Sequence, residues 1–320
     1  MGNIASTKGK KRRPVAALPP PAFRWIDGRR FNNLPNTVYP LPSDEKELDR
    51  LSLQHFLYRF LWKGNFCSPV ERKLKTDGLI LDIGCGPGAW ILEMASQYQR
   101  AKFFGLDFVP IFPAEIKPSN ITFLQTNVLE KLPFKDGYFD FVHLGLMNFA
   151  FTEDEWKSKV IPEVIRVTKD GGWLEIEEID TALTNSPSSL VPITDFWIEY
   201  LESQGINPHI AEHTLGKLLA DTEKFSEIHH RIEIIPYTEQ AGQTGKMAKD
   251  NTILYYKTIA PIIITQLGNV SATEYEDVMQ SLPREFEMCR SYHNMHRIFA
   301  QKAPAEIGIA GGAALNNEIL

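Results

Sequence analysis

The stretch Gly78–Trp90, G-L-I-L-D-I-G-C-G-P-G-A-W, constrains this chain more than any other. Leu79 to Ile83 form a short, almost wholly apolar run, which fits a strand buried on both faces of a parallel sheet. Asp82 is the only charge in that run and should meet a donor near the strand's end. Gly84, Gly86 and Gly88 follow at alternate positions, and Pro87 fixes the turn before the third glycine. Glycine accepts positive φ and lets a ligand approach the backbone. From Ala89 to Gln99 the pattern turns helical, so the glycines form a strand-to-helix turn. The N–H groups that open such a helix suit polar or anionic ligand groups.

The glycine spacing differs from the G-x-G-x-x-G of a dinucleotide site, which disfavours an NAD-dependent enzyme. D-x-G-x-G-P-G, here Asp82 to Gly88, instead resembles the first motif of the class I S-adenosylmethionine (SAM) methyltransferases. The resemblance implies that Asp82, Gly84, Cys85, Gly86 and Gly88 form a loop under the methionine part of SAM. Lys102–Asp107 reads as a second strand ending in an acid. By the same resemblance Asp107 accepts both ribose hydroxyls, and a charged acceptor makes the stronger hydrogen bonds. Phe108 and Val109 would flank the adenine. Ile121–Gln125 is a third strand. Asn127, where many relatives carry Asp, would accept from the adenine amino group beside Val128.

Tyr138–Leu144 is the fourth strand, and its x-F-D-F-V pattern around Asp140 recurs in the superfamily. His143 lies at its end, where the methyl group would be presented. A histidine there can act as general base, since its ordinary pKa suits proton removal near neutrality, or it can support the pocket wall. Thr152 and Glu155 form a capping box that opens a helix, which Pro162 kinks or restarts. Trp173–Ile176 is strand five. Glu175, Glu177, Glu178 and Asp180 read as a solvated acidic strand end, and no metal site is expected.

Ile228–Ile235 and His296–Ala300 are the last two strands, with helices over 250–267 and 272–290 between them. Strands alternating with helices argue a parallel sheet. The resemblance implies an α/β, Rossmann-like, seven-stranded, mostly parallel sheet with helices on both faces and an antiparallel last strand. Residues 22–42 read as irregular. Ser43 is a suitable N-cap for a lid helix whose apolar residues Leu48, Leu51, Phe56 and Phe60 lie near one face. Tyr39-Pro40-Leu41-Pro42-x-Asp44 with Arg50-Leu51-x-x-Gln54-His55 resembles fungal methyltransferase-domain proteins of the LaeA-like type. That likeness adds Tyr39 and His55 to the SAM-contacting set. Residues 181–226 are expected as a helical cap over the substrate, within a domain spanning 22–302.

Residues 1–21 read as disordered, basic and then proline-rich, and 303–320 as a flexible tail. Gly2 and Ser6 match an N-myristoylation signal, and the following Lys8–Arg13 cluster suits either a second membrane-directing signal or nuclear import. Five basic residues and no acid lie in 1–13, so the body is more acidic than the net charge of −6. An acidic body argues against nucleic acid as the main partner. Three widely spaced cysteines give neither a disulfide framework nor a zinc pattern, which suits a cytoplasmic setting. The expected activity is methyl transfer from SAM to O or N of a small-molecule acceptor. The alternative is a SAM-binding regulatory or scaffold protein with little turnover.

Overall fold

The computed structural model describes residues 23–33, 39–267, 270–304 and the backbone of 315–319. The N-terminal basic segment and its acylation motif lie outside the described residues. In chain order the elements are β1 (Phe23–Ile26), β2 (Arg29–Asn32), α1 (Glu45–Leu61), α2 (Glu71–Leu74), β3 (Leu79–Ile83), α3 (Ala89–Gln97), β4 (Lys102–Asp107), β5 (Ile121–Gln125), β6 (Phe139–Gly145), α4 (Glu153–Glu155) and α5 (Ile161–Val167). They continue with β7 (Thr168–Ile179), α6 (Val191–Ser203), α7 (Leu215–Asp221), β8 (Phe225–Pro236), α8 (Gly242–Leu267), α9 (Ala272–Cys289), β9 (Tyr292–Lys302) and β10 (Leu315–Ile319).

The main sheet runs β10-β8-β9-β7-β6-β3-β4-β5. β5, β4, β3, β6 and β7 are parallel, and β9 inserts antiparallel between β7 and β8. Seven of these strands make the expected Rossmann-like sheet. The eighth is a correction, because Leu315–Ile319, expected within a flexible tail, pairs parallel with β8 from Leu315↔Ile228 onward. It covers backbone donors and acceptors that an edge strand would otherwise leave open.

Three further expectations change. Residues 23–32, read as irregular, form the β1–β2 hairpin, closed by Asp27 and Gly28 at positive φ. The N-cap of α1 is Asp44, not Ser43. Its carboxylate accepts from Glu47 N and also holds Arg29 at 2.6 Å, so it secures both helix and hairpin. The face that α1 buries is polar, comprising Glu47, Arg50 and Gln54 beside Leu57 and Tyr58, while Phe56 and Phe60 are exposed. Arg50 forks onto Glu47 at 2.6 and 2.9 Å and reaches Asn251 of α8. A paired charge can be buried where a lone one cannot.

The capping box at Thr152 opens α4 as expected, and the helix runs through a π-helical turn at Trp156–Val160 into α5, with Pro162 in its first turn. The expected cap over 181–226 divides. Leu190, the N-cap of α6, and Ile193, Trp197 and Leu201 within it join a core with α8 and α9. Leu215 and Leu219 of α7 pack with α5 and the sheet instead.

Candidate active site

The turn after β3 is built by its own backbone. Gly84 N and Cys85 N both donate to Leu106 O, at 2.8 and 2.9 Å, which binds the loop to the end of β4. Gly84, Gly86 and Gly88 have φ of 72°, 53° and 84°. A Cβ on Gly84 would lie 2.2 Å from Met147 Sδ, whereas one on Gly86 would meet no atom within 4 Å. The loop is therefore packed behind Gly84 and open beside Gly86, as a cradle for a ligand requires.

Asp107 completes the cradle. Its Oδ2 accepts from Gly86 N and its Oδ1 from Val109 N, both at 2.8 Å. Burial pushes its carboxyl up to about 6, against the pull of those two bonds.

Asp82 meets the donor its position requires. It lies beside His143 in the β3–β6 register, and His143 Nδ1 is 2.8 Å from Asp82 Oδ1 with both side chains buried. The imidazole also stacks on Trp90, ring centroids 4.0 Å apart and planes 2° from parallel.

These groups border one cavity of about 220 Å³ outside the carboxyl ends of the parallel strands, where open α/β sheets place ligands. Of the residues singled out in the sequence, Tyr39, His55, Asp82, Gly84, Cys85, Gly86, Asp107, Phe108, Asn127, Val128 and His143 line it. Gly88 does not; it is the N-cap of α3 and packs on Phe123. His55 also binds Glu93 of α3 at 2.8 Å, tying α1 over the loop. Asn127 Oδ1 already accepts from Leu129 N. No residue of 181–226 lines this cavity. The cover comes from 39–43 and α1. Asp140 lies at the other end of its strand, holding Leu79 N and Lys169 Nζ at 2.9 and 2.7 Å.

The acids of β7 correct the reading of a solvated strand end. Glu175 accepts from Cys67 N, Ser68 N and Ser68 Oγ, and Glu178 from Met147 N and Asn148 N. Both are fully buried, and burial pushes the Glu178 carboxyl up to about 8. Glu177 pairs with buried Arg297 at 2.6 Å. A central strand leaves such acids no solvent, so they hold loops and a cation instead. Among the described residues, no group of three or more His, Cys, Asp or Glu side chains is placed to bind a metal ion.

Sequence reasoning missed Trp90, Leu51, Tyr58, Leu146 and Asn32 on the cavity wall. Trp90 stood at the end of the opening motif and was available. Asn32 depended on the β1–β2 hairpin, whose Asp27-Gly28 turn signal also stood in the sequence.

Residues 80–172 match the family model described as a methyltransferase domain. Methyltransferase str3 of Strobilurus tenacellus is 35% identical over 205 residues, covering 62% of this chain and 70% of that protein. The secondary metabolism regulator LAE1 of Cochliobolus heterostrophus is 29% identical, covering 66% and 70%. Among solved structures, phosphoethanolamine N-methyltransferase 2 of Haemonchus contortus with SAM is 18% identical at a TM-score of 0.46, covering 79% of this chain and 57% of that one. The sheet order, the glycine turn, the family-model match and the likeness to methyltransferase str3 define a SAM-dependent methyltransferase. The chain belongs to the class I family, with fungal methyltransferases and LaeA-like proteins among its relatives.

Proposed function

We propose that the cavity over the glycine turn is the SAM site and that the methyl group goes to O or N of a small molecule. One observation carries the reading. The half-buried Asp107 carboxylate is held by Gly86 and Val109 on the wall of a cavity that the glycine loop leaves open. Its remaining lone pairs would suit the two ribose hydroxyls of bound SAM, Phe108 and Val109 would flank the adenine, and Gly84–Gly86 would hold the methionine part. Asn127, whose Oδ1 already accepts from Leu129 N, would have to use its second lone pair to accept from the adenine amino group. The residues present fit the cofactor.

Bound SAM supplies an electrophilic methyl group on a sulfonium. The chain's own work is to hold the acceptor in line with it and exclude water, which is catalysis by proximity and orientation. His143, fixed by Asp82 and Trp90, forms a rigid wall of the cavity in this reading, with proton removal as the competing role.

Transfer of label from methyl-labelled SAM into a small-molecule extract tests the activity. Protein-dependent labelled product of low molecular mass is expected. Label confined to protein, or no transfer by a preparation that binds SAM, would contradict the small-molecule reading and favour a regulatory one.

We also propose that the N-terminal segment directs this otherwise cytoplasmic protein to membranes through acylated Gly2 and the Lys8–Arg13 cluster. Fractionation of wild type against Gly2→Ala tests this, and equal distribution would contradict it.

A further inference from the structure

The cavity follows the order of the strands beneath it. β5, β4, β3, β6 and β7 lie side by side, about 4.8 Å from each strand to the next. Asn127 follows β5, Asp107 ends β4, the glycine turn follows β3, and His143 lies near the end of β6. With adenine at Asn127 and the methionine part at the glycine turn, the methyl group of SAM points towards β6. The next strand on that line is β7.

β7 gives the cavity wall one residue, Glu177, which lies beside Gly145 in the β6–β7 register. Its Oε2 accepts from Arg297 Nε at 2.6 Å. Arg297 is itself held by Gly64 O at 3.1 Å and lies over the Trp62 ring, so the carboxylate is fixed from behind. Among the described residues no donor reaches Oε1, and the side chain keeps 12% exposure. The same wall carries Asp82 and Asp107 and neither lysine nor arginine. His143 occupies Asp82, and the cradle holds Asp107. Glu177 is the acid left to meet the acceptor.

We propose that Glu177 selects the methyl acceptor, taking a hydrogen bond on Oε1 from its hydroxyl or amino group and refusing carboxylates and phosphates. The proposal rests on the reading of the cavity as the SAM site. A carboxylate accepts hydrogen bonds and cannot donate one, and a bond to a charged acceptor is the stronger kind. An anionic acceptor would lose its hydration beside a like charge, with no cation on the wall to offset it. Leu146 and Tyr58, the latter close enough to feel the Glu177 charge, line the cavity too and suit an apolar body on the acceptor.

Calorimetry on the full chain, saturated with S-adenosylhomocysteine, tests this with benzyl alcohol, benzylamine and benzoate, which share a ring and differ in the polar group. The alcohol and the amine should each bind at least about tenfold more tightly than benzoate. In Glu177→Gln the preference should fall to about threefold or less, because an amide both accepts and donates. Benzoate bound as tightly as either donor probe by wild type, or no binding of the donor probes, overturns the proposal whether or not the variant folds. An undiminished preference in folded Glu177→Gln overturns it as well. Failure of S-adenosylhomocysteine to bind overturns the cofactor reading and this proposal with it.

Discussion

His143 Nδ1 stands 2.8 Å from Asp82 Oδ1 across adjacent parallel strands, and both side chains are buried. Each is therefore the other's main polar partner. His143→Leu strands a buried carboxyl and should cost about 3 kcal/mol of stability. His143→Asn keeps a donor near the Nδ1 position and should recover most of it. If His143 is a wall, turnover by His143→Asn stays within about tenfold of wild type. A fall of about a hundredfold or more in a stable variant would instead assign the general base. Thermal melts and initial rates on both variants decide this.

The two glycines should separate fold from ligand. Gly84→Ala sets a methyl 2.2 Å from Met147 Sδ at a φ of 72°, and should cost about 2 kcal/mol or more. Gly86→Ala meets no neighbour, so only the left-handed backbone, about 1 kcal/mol, weighs on stability. Its methyl would occupy the open side of the loop and should weaken SAM binding at least tenfold. A cofactor affinity unchanged in Gly86→Ala would contradict the placement.

Asp107 gives cofactor affinity a pH dependence. Its carboxyl, raised from 3.8 to about 6, must be ionised to accept both ribose hydroxyls. Affinity should fall about fourfold between pH 7.5 and 5.5 if the ionised form alone binds. The free protein responds in the opposite sense. A carboxyl with a raised folded pKa holds its proton more tightly in the fold, so its contribution to stability declines as pH rises from about 4 to 6. Calorimetry and melts across that range read the two effects separately.

Glu178 does the same higher on the scale. Its folded carboxyl lies at about 8 against 4.5 unfolded, so it favours the fold most at low pH and loses that contribution as pH rises towards 8. Wild type should lose melting temperature between pH 6 and 9, and Glu178→Gln should flatten that slope. An identical slope in the variant would contradict the assignment.

The sheet and cradle were legible because their physics is local. An apolar strand, three glycines and an acid at the next strand's tip occupy short stretches of chain. Buried polar matching was not legible, since the partners lie far apart. Glu175 needed Ser68, Arg50 needed Asn251, and Asp180 needed His296. Phe56 and Phe60 misled for a related reason. Apolar periodicity assumes an apolar buried face, and α1 buries an ion pair instead. β10 was hidden because its pairing partner, β8, is distant in sequence.

Calorimetric titration of the folded protein with SAM and with S-adenosylhomocysteine, beside Asp107→Ala, tests the central claim most directly. Micromolar binding of both, lost in the variant, is the predicted result. No binding by folded wild type, or equal binding by Asp107→Ala, would contradict the cofactor site described.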